Sequence, residues 1–129
     1  MKHALLVLVV VLVALKFAEA HHSYADFSDQ PQSIAGTIQA IEFASPHTML
    51  TVAAKDGTVY KAVWNAVRQL EVQGVERTAL KVGDTVLITG HPHKDASTHE
   101  FAKLREVRRT SDGWTWRSAN GRVSVTGTH

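Results

Sequence analysis

The fold is decided by residues 33–43, Ser-Ile-Ala-Gly-Thr-Ile-Gln-Ala-Ile-Glu-Phe. In an extended chain, Ile34, Gly36, Ile38 and Ala40 share one face, because successive side chains alternate. Ile41 and Phe43 then fall on the opposite face. A hydrophobic pattern that changes face within one strand predicts a β-bulge or strong coiling. We therefore expect one long strand that contributes to two sides of a curled sheet.

The rest of the chain predicts further short elements. Residues 48–54 direct Leu50 and Val52 inward, and Lys55-Asp56-Gly57 is a strong hairpin signal. After it we expect a strand at 59–64, a short helix capped by Asn65 and ended by Gly74, and strands at 85–93 and 100–109.

This order of elements predicts a mainly β fold, a small five-stranded OB-like Greek-key barrel with one short helix. A seven-stranded sandwich is the alternative, but it would lack a helix after the third strand. The turn signals Asp112-Gly113 and Asn120-Gly121 add a C-terminal β-ribbon. The expected organisation is an extended N-terminal arm at 21–32, the barrel at 33–110 and a ribbon or tail at 111–129.

Residues 1–20 have the features of an export signal. Lys2 supplies the positive n-region, residues 4–15 an apolar run, and Ala18-Glu19-Ala20 a small-x-small cleavage site. The run is too short for a membrane span of about 20 residues, so we expect a periplasmic or secreted protein that is not an integral membrane protein after cleavage. A retained membrane anchor is the alternative.

Composition limits the chemistry of the exported chain. It has no cysteine, which excludes thiolate catalysis and disulfides. It also lacks G-x-S-x-G, H-E-x-x-H and phosphate-loop motifs. The sequence therefore predicts a small binding protein rather than an enzyme.

Several short motifs resemble those of one protein family. They are the predicted mature start His21-His22-Ser23-Tyr24, then Ser45-Pro46-His47, then Gly83-Asp84-Thr85-Val86, and then residues 90–97, Gly-His-Pro-His-Lys-Asp-Ala-Ser. Together they resemble a family of small exported bacterial proteins of unknown function, the uncharacterised DUF6152-like domain, over about residues 21–107. Tyr24, Ser45 and Ala96 depart from that family's usual Phe, Asn and Gly. The resemblance implies a location in the cell envelope and no established activity.

Histidines are the strongest candidates for chemistry. Cleavage after Ala20 would expose the amine of His21 beside its own ring, and His22 or His47 could add a third nitrogen for Cu(II). Cleavage one residue earlier would give Ala20-His21-His22, a different Cu(II)-binding terminus. The alternative to both is a solvated terminus without a specific role.

Three other histidines are weaker candidates for a metal site. His91 and His93 lie two apart on a predicted strand and share a face, with His99 across the following loop. An exposed pair beside Pro92 is the alternative interpretation. His47 in turn has the alternative of a backbone hydrogen bond at a strand start.

A second hypothesis needs no metal. Residues 103–122 carry six basic and two acidic side chains, interleaved with tryptophans. This basic C-terminal face predicts binding of an anionic glycan, a lipid head group or an envelope protein, and export argues against nucleic acid. The candidate ligand-binding residues are Arg105, Arg108, Arg109, Trp114 and Trp116. The alternatives are packing of the tryptophans and a solvated charged edge.

Overall fold

A ring of five strands surrounds the core in the computed structural model, which describes residues 24–127. Within that range the elements are β1 (Gln32–Glu42), β2 (Thr48–Ala53), β3 (Val59–Trp64), α1 (Val67–Val72), β4 (Thr85–Pro92), β5 (Glu100–Arg109), β6 (Thr115–Ala119) and β7 (Arg122–Thr126). The five-stranded barrel with one short helix is therefore confirmed.

The ring follows the order β3-β2-β1-β4-β5, and β3 closes it against β5. Neighbouring strands are antiparallel, except that β3 and β5 pair in parallel at the closing seam. This seam consists of two residue pairs, Lys61 with Glu100 and Ala62 with Phe101. The seam thus brings chain segments about 40 residues apart into contact.

The predicted irregularity in β1 is a β-bulge. Ile38 pairs with Val52 and Ala40 with Thr51, so Gln39 is the extra residue between them. The first half of β1 pairs with β4 and the second half with β2, as expected for a strand that serves two sides of a barrel.

Gly36 lets these two sides approach each other closely. A Cβ atom at this position would lie 2.3 Å from the Ala53 carbonyl oxygen and 2.8 Å from Cγ1 of Val52. Any side chain would therefore force β1 and β2 apart. Glycine is needed here for space rather than for an unusual backbone angle.

The core fills the ring and continues under the C-terminal ribbon. Its buried side chains include Ile38, Leu50, Val52, Ile88 and Val107, confirming the predicted inward positions of β2. Trp114 and Trp116 are 0% and 1% exposed and belong to the same cluster. The ribbon is thus packed onto the barrel through its tryptophans.

The helix between β3 and β4 differs from the prediction at its start. Ala66 is the N-cap residue and makes no side-chain cap, whereas Asn65 donates a hydrogen bond to Oε1 of Gln73 at 3.2 Å. The predicted Asn65 cap is therefore wrong: its amide joins the two ends of the helix instead. Gly74, with φ of 92°, ends the helix as expected.

Two strands bond outside the ring. β6 pairs with β5 and β7 pairs with β6, both antiparallel, and Asn120-Gly121 forms the turn between them. This is the predicted C-terminal ribbon. No helix within residues 24–127 has the length and hydrophobicity needed to traverse a lipid bilayer.

Candidate functional site

The N-terminal arm is docked on the barrel. Tyr24 and Ala25 are helical rather than extended, which corrects the prediction for this part of the arm. Beyond them, the Ser28 N–H donates to the Pro92 carbonyl at 2.8 Å, and the Lys94 N–H donates to the Asp26 carbonyl at 2.7 Å. The arm therefore continues the sheet beside the end of β4.

The buried side chain of His91 holds the arm against the barrel. Its Nδ1 lies 2.8 Å from the Ser28 carbonyl oxygen, and Arg105 Nε donates to its Nε2 at 3.2 Å. Because a guanidinium only donates, Nε2 must accept and Nδ1 must carry the proton that is donated to Ser28. Both ring nitrogens are thus engaged, so His91 has no lone pair left for a metal.

A bulge in β5 directs two basic side chains towards the arm. Between the pairs Thr89–Glu106 and His91–Ala102, β5 has two more residues than β4, and Lys103 there has φ of 49°. The Lys103 ammonium lies 5.6 Å from the centroid of the Tyr24 ring, a cation–π distance. The same bulge brings Arg105 to His91.

His47 lies at the mouth of a groove that the arm helps to build. This arm groove, about 410 Å³ in volume, is lined by Tyr24 and Phe27 of the arm and by His47, Trp64 and other residues of the barrel. The His47 ring is exposed and makes no hydrogen bond with any residue in the 24–127 range, so the predicted alternative of a backbone bond does not apply. Its nitrogens are available.

His93 and His99 have separate surroundings. His93 Nδ1 accepts the Asp95 N–H at 2.9 Å, and its ring meets Phe27 edge to face. The His99 ring makes a similar contact with Tyr60, at a centroid distance of 5.7 Å. The part of the chain that the structure describes contains no cluster of three His, Cys, Asp or Glu side chains that would hold a metal ion.

The predicted basic face is divided between the core and the surface. Arg109 is only 8% exposed and binds both carboxylate oxygens of Asp112, at 2.9 and 2.7 Å. With Trp114 and Trp116 buried, three of the five predicted ligand-binding side chains face the interior. A stacking role for the tryptophans is therefore corrected to packing, since an indole without exposed surface cannot meet a ligand.

The Arg109–Asp112 pair is an electrostatic anchor for the ribbon. The guanidinium of Arg109, followed by the Trp114 backbone N–H, lowers the pKa of Asp112 to about 2. Asp112 in turn raises the pKa of Arg109, which also donates to the Ala79 carbonyl. Arg109, which the sequence predicts to bind a ligand, thus joins the ribbon turn to the loop before β4.

Arg105 and Arg108 remain exposed on the outer face of β5. Arg105 contacts His91, as described above, and Arg117 on β6 forms an ion pair with Glu106. The exposed basic charge of this face is therefore smaller than the sequence predicts.

A second, larger groove was not predicted. It lies where the loop between β4 and β5 meets the start of β1, and His93, His99 and Tyr60 are among its lining residues. The motif at residues 90–97 identified this loop, but no local pattern indicates that Tyr60 of β3 faces it.

His21 and His22, together with the predicted signal at 1–20, lie outside the described residues. Residues 8–103 match the model of a family of unknown function (DUF6152), so the chain belongs to this family. The match begins inside the predicted signal and ends in β5, earlier than the expected limit near residue 107. No curated protein matches the chain.

Proposed function

We propose that this member of the DUF6152 family is an exported binding protein that holds Cu(II) at its N-terminal arm. The ligands would be the amine and ring of His21, freed by cleavage after Ala20, and the ring of His47. The observation that carries the proposal is that Tyr24 of the arm and His47 of the barrel line the same groove.

The length of the arm supports this arrangement. Three residues span at most about 10 Å when fully extended, which limits how far the His21 amine could reach from Tyr24. The Tyr24 ring lies 5.6 Å from the Lys103 ammonium, and the residues that follow it are held by backbone hydrogen bonds at the end of β4. The start of the mature chain would therefore be confined to the neighbourhood of the arm groove rather than free in solution.

The chemistry of the donors favours copper. Imidazole and amine nitrogens suit Cu(II), which stands at the top of the affinity order for divalent first-row metals. The chain contains no cysteine, so the set lacks the thiolate that favours Cu(I). His91 is engaged in hydrogen bonds, which leaves His47 as the better placed barrel histidine.

The competing hypothesis is a metal-independent module that binds an anionic glycan, a lipid head group or a partner protein at the basic C-terminal face. Arg109, Trp114 and Trp116 face the core, so that function would depend on Arg105 and Arg108. Reversing the charge of Arg108 would abolish such binding and leave copper uptake unchanged.

The test is Cu(II) titration of signal-processed protein, followed by intact mass and electron paramagnetic resonance. We expect one Cu(II) per chain with nitrogen hyperfine couplings. Acetylation of the N-terminal amine, or His47→Ala, should weaken binding at least about tenfold, a loss of about 1.4 kcal/mol. His99→Ala is the matched control and should have no effect.

Two results would contradict the proposal. Absence of stoichiometric uptake by the processed protein would rule out the site. Tight uptake that is indifferent to His47→Ala would instead indicate the Ala20-His21-His22 terminus. The mass of the processed chain distinguishes these two cleavage products directly.

A further inference from the structure

We infer that the larger groove is a second binding site, independent of the arm histidines, and that it takes a neutral saccharide. This loop groove has a volume of about 620 Å³ and lies at the barrel end where β1 begins and the β4–β5 loop passes. The volume is within the range of small-molecule sites. Its lining combines an aromatic wall with polar groups that can donate and polar groups that can accept hydrogen bonds.

Tyr60 supplies the aromatic wall. Its half-buried ring meets Phe101 and His99 edge to face, each at a centroid distance of 5.7 Å, so it is held from two sides. Its hydroxyl has no hydrogen-bond partner among residues 24–127. An aromatic ring with a free polar tip suits a sugar, which presents C–H groups on its faces and hydroxyls at its rim.

The polar lining offers both donors and acceptors. Since Nδ1 of His93 accepts the Asp95 N–H, the neutral ring carries its proton on Nε2 and can donate from there. The Ser28 hydroxyl and the Glu100 carboxylate also line the groove and can accept. Sugar hydroxyls donate and accept at once, so they can satisfy such a mixed set.

The charges of the groove argue against an anion. Among the described residues that line it, Lys94 is the one permanent cation, and it is outnumbered by Asp95 and Glu100. The hydroxyl and backbone N–H of Ser97 lower the pKa of Asp95, which therefore stays ionised near neutral pH. Without an excess of positive charge, phosphate-rich or polyuronate ligands gain little here.

The loop is organised before any ligand arrives. Asp95 caps the 3₁₀ turn Ala96–Thr98, and His99 follows with φ of 51°. The carbonyl of His99 accepts the Lys61 N–H of β3 at 3.0 Å. Because the loop is fixed at both ends, a ligand would not have to order it, which lowers the cost of binding.

The test uses three disaccharides of similar size and different charge: neutral N,N′-diacetylchitobiose, its cationic deacetylated form, and anionic digalacturonate. Binding is followed by NMR chemical shifts of the backbone amides. We expect the neutral sugar to bind and to shift residues 93–101 and Tyr60. Tyr60→Leu should weaken binding about tenfold, as expected when one aromatic contact is lost.

Tyr24→Leu is the matched control, because the other tyrosine lines the arm groove and is not among the residues lining the loop groove. It should leave sugar binding unchanged. Failure of the neutral sugar to bind, a preference for either charged sugar, or unchanged affinity in folded Tyr60→Leu protein would each overturn the inference. Repeating the titration with His47→Ala protein separates this site from copper binding, which that variant should weaken.

Discussion

His91 of β4 and Ser28 of the arm are joined by a hydrogen bond of 2.8 Å between positions 63 residues apart in the chain. The bond ties the arm to the barrel through a buried imidazole. Arg105 completes the link by donating to the other ring nitrogen.

Replacing His91 by phenylalanine should therefore release the arm. We expect the free energy of unfolding to fall by about 1–3 kcal/mol, because the Ser28 carbonyl loses its donor. Chymotrypsin should then cut faster at Tyr24 and Phe27. His47→Gln is the control, since that side chain is exposed and the substitution adds no chymotrypsin site. Unchanged cleavage and unchanged urea denaturation would show that His91 does not hold the arm.

Acid should weaken the anchor of the ribbon. The pKa of Asp112 is about 2 in the folded chain against an ordinary value of 3.8. A depressed pKa contributes stability above the unfolded value, and this is lost as the pH falls from about 4 to 2. Asp112→Asn should flatten the pH dependence of urea denaturation in that window, whereas Asp29→Asn should retain it. Parallel curves for wild type and Asp112→Asn would contradict this role.

Truncating Trp116 should destabilise the whole domain. The indole is buried against Trp64 at a centroid distance of 5.3 Å and donates to Gln73. We expect Trp116→Ala to lower the free energy of unfolding by about 3–5 kcal/mol, with one cooperative transition. Val123→Ala on the neighbouring strand is the control. A loss below 1 kcal/mol, or a separate early transition of the ribbon, would show that the ribbon is not part of the core.

A methyl group at position 36 should separate β1 from β2. Gly36→Ala places its Cβ against the Ala53 carbonyl and the Val52 side chain. We expect a loss of about 1–3 kcal/mol, the usual cost of overpacking, measured by urea denaturation. Ala35→Ser, at the adjacent exposed position, is the control. Equal stability of both variants would mean that the strands adjust without cost.

The fold was predictable where local chemistry determines it. Asp56-Gly57 and Asn120-Gly121 specify their turns through glycine or asparagine at positive φ, and the change of face after Ala40 specifies the bulge. The Asn65 cap failed because the helix begins one residue later than predicted, with Ala66 at the N-cap position. The Asn65 amide nitrogen instead donates to Gln73, eight residues away, a contact that leaves no local signal.

The candidate site was less predictable because its contacts are distant in sequence. The bulge that brings Arg105 to His91 depends on how β5 pairs with β4, not on the residues of β5 alone. Similarly, alternation along residues 114–117 indicates that Trp114 and Trp116 share a face, but not whether this face covers the barrel or meets solvent. In the structure this face covers the barrel, and both tryptophans are buried.

The two residue pairs between β3 and β5 have a consequence for motion. They are the shortest ladder of the ring, so the amides of Lys61 and its neighbours should exchange with solvent before those of β1 and β4. Glu100 and Phe101 belong to this ladder and Tyr60 flanks it, and all three line the loop groove. A ligand bound in this groove would contact both β3 and β5. It should therefore slow local opening of the barrel at the seam between them.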